Sequence, residues 1–261
     1  MTVERDGYRI SYAWHGPDEG PVLVLSHSLG SDSRLWRPQI AALGDRYRIL
    51  TYDHPGHGAS DPLPVPADIA VYARDALAVA DAAGVERFAF CGLSLGGMVG
   101  IRLAASAGER LESVVLANTT AHIADTTLLR RRIDLLRREG IDAIVDNVVE
   151  KWLTPGFRGS HPEAVALCRE MLETCGGEAY ADAAQTVCGL DLRDDLSRVS
   201  VPCTVVVGEH DEATPPEWGR SIAEGIAGTR LVELPAAHLS NVEAPGGFAE
   251  AIAAGGATGR S

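Results

Sequence analysis

Residues 88–97 read FAFCGLSLGG, and this stretch decides the fold. Its first half is a short apolar run typical of a buried strand, and its second half opens a helical pattern. Between them, Gly92-Leu93-Ser94-Leu95-Gly96 matches G-x-S-x-G, in which glycines let the backbone approach closely around a tight strand-to-helix turn. The serine then stands at a helix N-terminus, whose dipole favours developing negative charge. This position predicts that Ser94 is a nucleophile rather than part of a structural turn.

A nucleophilic serine needs a base and an orienting acid, expected in the chain order Ser, Asp or Glu, His. The strand pattern VVVG is followed by Asp211, the pattern LVEL is followed by His238, and both loops leave the same sheet edge as the serine. We therefore predict Asp211 as the acid and His238 as the base, although each could instead only cap its own turn or helix. Glu209 and Glu212 are the local rivals for the acid. A further position after an earlier strand holds Asn118, which cannot act as a carboxylate.

Short apolar strands alternate with helical patterns along most of the chain, which predicts a parallel sheet with helices on both faces. The predicted strands cover residues 8–14, 22–26, 48–53, 87–91, 111–117, 204–208 and 230–234. Between residues 119 and 190 the patterns are helical, with glycine and proline between them. We therefore predict a core of residues 1–118 and 191–261, with residues 119–190 inserted as a helical cap. The C-terminal GGATGRS is predicted to be disordered.

Composition excludes several classes of function. The net charge of −13 argues against binding to nucleic acid or to an anionic membrane surface. The charged N-terminus lacks the apolar core of a signal peptide, and no apolar run has the length of a transmembrane helix. The five cysteines include no CxxC pair, which favours reduced thiols in a cytoplasm over disulfides or a zinc site.

Two other histidine-containing stretches are predicted to be structural. In VLVLSHSLG, His27 and Ser28 follow a buried strand and are expected to hold the shape of its loop. In folds with this serine turn, that loop supplies one backbone N–H to an oxyanion hole and the residue after the serine supplies the other. The predicted donors are Leu29 and Leu95. The second stretch, DHPGHGAS at residues 53–60, reads as a tight turn whose polar side chains bond local backbone.

From about residue 8 to residue 253 the chain resembles an α/β-hydrolase, and within that superfamily it is similar to the 3-oxoadipate enol-lactonases of aromatic-compound degradation. The resemblance rests on LSHSLGSDSRLW, YDHPGHGAS, CGLSLGG, KWLTPGFRGSHPE, HDEATPPEWGR and AAHLSNVE. One departure is His54-Pro55, where the family pattern has threonine or arginine. The resemblance implies a mostly parallel eight-stranded sheet flanked by helices, with an inserted helical cap.

The resemblance also implies an activity, the hydrolysis of 3-oxoadipate enol-lactone to 3-oxoadipate in the β-ketoadipate pathway, with no cofactor and no metal. The chemistry of the predicted triad agrees, since Ser94 would attack the ring carbonyl and water would then hydrolyse the acyl-enzyme. Because the substrate carries a carboxylate, a cation is expected in the pocket. Among the arginines of LLRRRIDLLRREG, Arg132 best matches the family pattern as the carboxylate anchor. Trp152 is expected to wall the pocket or to belong to the core of the cap.

Other activities fit the same triad. A general carboxylesterase or a carbon–carbon bond hydrolase would differ only in its pocket. A haloalkane dehalogenase is disfavoured because it needs a carboxylate where Ser94 stands. A non-catalytic receptor of this fold is the alternative from another class, and the presence of all three triad residues argues against it.

Overall fold

The computed structural model describes residues 1–64 and 67–255, and eight strands form a single sheet in the order β1-β2-β4-β3-β5-β6-β7-β8. The strands are β1 Thr2–Arg5, β2 Tyr8–His15, β3 Val22–Ser26, β4 Arg48–Tyr52, β5 Phe88–Leu93, β6 Leu111–Ala117, β7 Cys203–Gly208 and β8 Arg230–Leu234. β1 pairs with β2 and β2 with β4 in antiparallel fashion, while every pair from β4 to β8 is parallel. The predicted mostly parallel eight-stranded sheet is confirmed.

Helices cover both faces of the sheet, as parallel strands that are apolar on both sides require. The helices are α1 Arg37–Leu43, α2 Ile69–Ala82, α3 Leu95–Ser106, α4 Thr127–Glu139, α5 Asp142–Trp152, α6 Pro155–Ser160, α7 Pro162–Cys175, α8 Gly177–Cys188, α9 Arg193–Leu196, α10 Pro216–Gly225, α11 Ser240–Glu243 and α12 Pro245–Gly255. All residues of β5 and β7 are buried, so these strands form the centre of the core. None of the helices in the described residues has the length and apolar character that crossing a membrane requires.

Helices α4 to α8 form the inserted cap between β6 and α9. The chain enters and leaves the cap at adjacent points, since His122 forms a β-bridge with Asp191 and Leu192 N donates to Ala121 O at 2.8 Å. One apolar cluster runs from the sheet into the cap and includes buried side chains of both parts. The boundary of the cap at residues 119–190 stays a prediction.

Strand β1 is the one strand that the sequence analysis did not locate. Its four residues, TVER, alternate between exposed and half-buried positions at the edge of the sheet. Such a short, polar edge strand carries little apolar pattern to recognise. The predicted disorder of GGATGRS covers residues 255–261. Gly255 is instead the last residue of α12 and is buried, and residues 256–261 lie outside the described residues.

Candidate active site

The turn between β5 and α3 holds Ser94 in a strained backbone conformation, with φ 59° and ψ −113°. Close backbone approach explains the two flanking glycines. A Cβ on Gly92 would lie 2.0 Å from Gly96 O, and a Cβ on Gly96 would lie 2.1 Å from Ser26 O. The hydroxyl of Thr119 donates to Ser94 O at 2.7 Å and fixes the turn from the neighbouring strand's loop. The sequence therefore folds locally so that one serine side chain is presented at the carboxyl edge of the sheet.

Asp211 and His238 meet at this edge, in the loops after β7 and β8. The Nδ1 atom of His238 lies 2.9 Å from Oδ2 of Asp211, and both side chains are buried. Because an ionised carboxylate can only accept, His238 donates through Nδ1 and leaves Nε2 bare as an acceptor. This is the tautomer that a general base requires.

Four further donors surround the Asp211 carboxylate. The N–H groups of Ala213 and Thr214 donate to Oδ1 at 2.8 and 2.9 Å, and Thr214 Oγ1 and Asn118 Nδ2 donate to Oδ2 at 2.8 and 3.0 Å. Burial alone would raise the pKa of Asp211, but the charge and hydrogen bond of His238 together with these donors lower it below its ordinary value. The carboxylate therefore stays ionised. The rivals Glu209 and Glu212 are both exposed.

Asn118 and Thr214 both donate to the Asp211 carboxylate, and the sequence analysis predicted neither contact. Asn118 lies directly after β6 with a left-handed φ of 45°, which turns its amide toward Asp211. Its Oδ1 accepts from Ser240 Oγ at 2.5 Å, so the amide group is oriented on both sides. The signal that the sequence offers is a polar residue directly after a buried strand.

A cavity of about 100 Å³ lies between the sheet edge and the cap. Six of the seven predicted site residues line it, namely Leu29, Ser94, Leu95, Arg132, Trp152 and His238. Asp211 lies behind His238 rather than on the cavity surface. In the described part of the chain, Ser94 Oγ makes no hydrogen bond to His238, and both side chains face this shared space.

The backbone N–H groups of Leu29 and Leu95 are the predicted donors of an oxyanion hole. Leu29 lies in the loop after β3, and Leu95 is the first residue of α3, where N–H groups lack intrahelical acceptors. Among hydrogen bonds within residues 1–64 and 67–255, neither of these two N–H groups has an acceptor. The neighbouring amides are satisfied, because Gly30 N donates to His57 Nε2 and Gly96 N donates to His27 O, both at 3.1 Å.

The predicted structural histidines form a buried cluster beside this loop. His27 donates from Nδ1 to Ser28 O at 2.8 Å and accepts from His54 N at 2.9 Å. His57 bonds Pro55 O through Nδ1 at 2.9 Å. Burial lowers the pKa of all three imidazoles, that of His57 to about 3. They are neutral, and these contacts support the prediction that they hold the two loops in shape.

The cap contributes one cation to the cavity. Arg132 donates from Nη1 to the hydroxyl of Tyr180 at 3.2 Å and has no acidic partner among the described residues. Arg137 lies near Asp182 instead, and Arg131 is exposed and does not line the cavity. Trp152 and Tyr180 are almost fully buried walls of the same space. Tyr180, within the helical stretch of residues 178–187, carried no distinguishing signal in the sequence.

The described residues hold no group of three His, Cys, Asp or Glu side chains placed to bind a metal ion. A larger open groove of about 570 Å³ lies outside the cavity, against the α5–α6 turn. Ser94 and His238 line the smaller cavity and not this groove. The arrangement of nucleophile, base and two free N–H groups is suited to acyl transfer from an ester or lactone.

Comparisons with known proteins agree with this geometry. The model of the alpha/beta hydrolase family matches residues 23–251. The chain is 34% identical to 3-oxoadipate enol-lactonase 2 of Acinetobacter baylyi over 97% of its own length and 95% of that protein. It is 30% identical to a putative carbamate hydrolase, RutD, of Azorhizobium caulinodans, with 92% of each chain covered.

A solved structure also shows the similarity to the enol-lactonases. The enol-lactonase from Burkholderia xenovorans LB400 superposes with a TM-score of 0.95 at 36% identity, covering 98% of this chain and 99% of that one. The fold, the matched family model and these relatives agree over nearly the whole length. The chain therefore belongs to the alpha/beta hydrolase family and, within it, is similar to the 3-oxoadipate enol-lactonases.

Proposed function

We propose that the protein hydrolyses 3-oxoadipate enol-lactone to 3-oxoadipate through an acyl-enzyme on Ser94. One observation carries the proposal: a single small cavity holds Ser94, His238 and an arginine that has no acidic partner in the described residues. A cavity of this size suits a small ring, and its free cation suits an anionic one. The relatives named as enol-lactonases support the same substrate.

In the first half of the reaction, Ser94 Oγ attacks the ring carbonyl while His238 Nε2 accepts its proton. Asp211 stabilises the imidazolium that forms, since its carboxylate is ionised and bonded to Nδ1. The N–H groups of Leu29 and Leu95 would bind the oxyanion, because both residues line the cavity and neither N–H group has an acceptor in the described residues. The residues present need no cofactor for this step.

Collapse of the tetrahedral intermediate opens the ring and releases an enolate that becomes a ketone. The leaving oxygen therefore needs little protonation by a general acid. The former leaving group remains attached to the acyl chain, so the opened product stays in the cavity as one ester of Ser94. Water activated by His238 then hydrolyses this ester and returns the serine to its free form.

Arg132 and Tyr180 would bind the substrate carboxylate together. Tyr180 accepts from Arg132 through its oxygen, and its own hydroxyl proton has no acceptor among the described residues. A carboxylate at this point would receive one charge-assisted bond from the guanidinium and one from the phenol. Trp152 would form the apolar wall against the ring. We place this reaction in the β-ketoadipate pathway, in the cytoplasm, with the small anionic lactone as the substrate.

The test is an assay of the purified protein on the enol-lactone beside a neutral aryl acetate and a simple carbamate. We expect the highest kcat/KM on the enol-lactone, and a loss of several orders of magnitude in Ser94→Ala with folding unchanged. A higher kcat/KM on the neutral ester would make the protein a general carboxylesterase. Near-normal turnover by Ser94→Ala would remove the nucleophile from the proposal.

A further inference from the structure

The turn between α5 and α6 lies directly against the loop that carries His238. Trp152 is the last residue of α5, and Thr154 is the N-cap of α6. Leu239, the residue after His238, donates its N–H to Trp152 O at 2.9 Å. The cap is therefore bonded to the backbone on one side of the base, through a residue whose side chain also lines the cavity.

Glu243 joins the same cap turn to the other side of His238. Its Oε1 accepts from the N–H and the hydroxyl of Thr154 at 2.8 and 2.7 Å. Its Oε2 accepts from the N–H of Ala237, the residue before His238, at 2.5 Å. One half-buried carboxylate thus receives three donors from two segments, and the base lies between two links to a single turn of the cap.

These segments also form the wall between the cavity and the larger groove outside it. Trp152 and His238 line the cavity, whereas their neighbours Thr154 and Ala237 line the groove. At this point, residues close together in the chain line different spaces. A shift of the cap turn would displace His238 relative to Ser94, because the residues on both sides of His238 are hydrogen-bonded to that turn directly or through Glu243.

We propose that Glu243 is a positioning residue. Its hydrogen bonds join the loop of His238 to the cap turn that carries Trp152, and so keep His238 correctly placed relative to Ser94. The inference rests on the proposed role of His238 as the base. A carboxylate suits the position because three donors converge on it, and both of its oxygens accept. In a glutamine, one acceptor becomes an NH2 group that faces a donor, so at least one of the two links is lost.

The test compares Glu243→Gln and Thr154→Val with a control, Glu250→Gln, which changes an exposed glutamate on α12. Thr154→Val removes the hydroxyl that donates to Glu243, together with the long N-cap bond of 3.4 Å that this hydroxyl accepts from Phe157 N, and it keeps the backbone N–H of Thr154. The readouts are kcat and KM on a neutral aryl acetate, the pH profile of kcat/KM, and the rate at which a fluorophosphonate labels Ser94. We expect kcat and labelling to fall on the order of 10- to 100-fold in Glu243→Gln, less in Thr154→Val and not in the control. KM should change little.

A structural role alone would lower the melting temperature and leave the acid limb of the pH profile where it is in the wild type. Wild-type kcat and labelling in folded Glu243→Gln would overturn the inference, as would losses that vanish once the folded fraction is measured by circular dichroism. If Glu243→Gln does not fold, Thr154→Val decides alone by the same readouts. If the wild type reacts with neither ester nor fluorophosphonate, the proposed function itself fails.

Discussion

Two groups of histidines lie at the carboxyl edge of the sheet and differ in what they bond. His238 bonds the Asp211 carboxylate through Nδ1 and presents its other nitrogen to the cavity. His27, His54 and His57 are fully buried, and their hydrogen bonds include backbone N–H and carbonyl groups of two neighbouring loops. The same side chain is thus placed once beside a carboxylate and three times among backbone groups.

This difference decides which imidazole can take a proton. A buried carboxylate stabilises imidazolium, so His238 can become charged during the reaction. Burial without such a partner disfavours the charged form, and the pKa values of the three clustered histidines are lowered accordingly. The cluster can hold the loop of Leu29 without competing for protons. Of the four predictions that follow, three test this contrast and one tests the cation beside it, from the largest expected effect to the smallest.

The largest effect is expected when the two groups are mutated in parallel. His238→Ala should lower kcat on the order of 10⁴- to 10⁶-fold, because the serine loses its base. His57→Gln should lower kcat less than about tenfold, because a glutamine oxygen can still accept from Gly30 N–H and hold the loop. Steady-state kinetics on an aryl acetate measure both. Comparable losses of kcat in the two variants would contradict the distinction between His238 as a base and His57 as a structural residue.

The second prediction concerns the partner of His238. Asp211→Asn should cost on the order of 10⁴-fold in kcat, since an amide favours the wrong tautomer of the imidazole. Glu212→Gln is the matched control, because Glu212 is exposed next to it in the chain, and should cost little. The measurement is kcat/KM over a pH series for both variants. A larger loss in Glu212→Gln would show that the acid is misassigned.

The third prediction separates catalytic turnover from binding of the substrate's carboxylate. Arg132→Ala should raise KM for the enol-lactone on the order of 10- to 100-fold, because the carboxylate loses its charged donor. Turnover of a neutral aryl acetate should hardly change, since Ser94 and His238 are untouched. Arg131→Ala, which removes an exposed arginine of the same helix, is the control. Equal losses on both substrates would mean that Arg132 only stabilises the cap, and no loss on either would assign the carboxylate to another cation.

The smallest effect is expected on the free energy of unfolding at acidic pH. His57 has an ordinary pKa of 6.5 when unfolded and about 3 in the folded state, so between these values the unfolded chain binds a proton that the folded chain does not. Stability should therefore fall as pH drops from about 6.5 toward 3, by up to about 1.4 kcal/mol per pH unit from each such histidine. Urea unfolding of wild type and His57→Gln at pH 7 and pH 5 measures the slope. An equally steep fall in the variant would contradict the prediction.

The central elements of the fold could be predicted because their sequences carry strong local patterns. Strands β3 and β5 to β7 are apolar runs, and the glycines around Ser94 are fixed by backbone contacts that no other residue permits. Strand β1 was not predictable in the same way. It pairs with β2 in a local hairpin, but its four residues are mostly polar and carry too little apolar pattern to indicate a strand. The prediction of Ser94, Asp211 and His238 as a triad depended on their positions after strands, which the sequence displays.

The residues that support the candidate site could not be predicted, because their roles depend on side-chain direction. Asn118 reaches Asp211 only through a left-handed backbone angle, and Tyr180 reaches Arg132 only because α8 packs against α4. Glu243 lies within AAHLSNVE, yet nothing in that string indicates a bond to Thr154 in the cap. Such contacts join segments far apart in the chain and have no local signature.

The β-bridge between His122 and Asp191 has a consequence for protein engineering. Because the two ends of the cap are already held side by side, a replacement segment would close on the core with little additional loop entropy. Caps from related enzymes could therefore be grafted between these two residues to change the accepted acyl group while the strands and their loops stay in place. Such a graft must reproduce the turn around Thr154, since that turn is where the exchanged module would have to engage the rest of the enzyme.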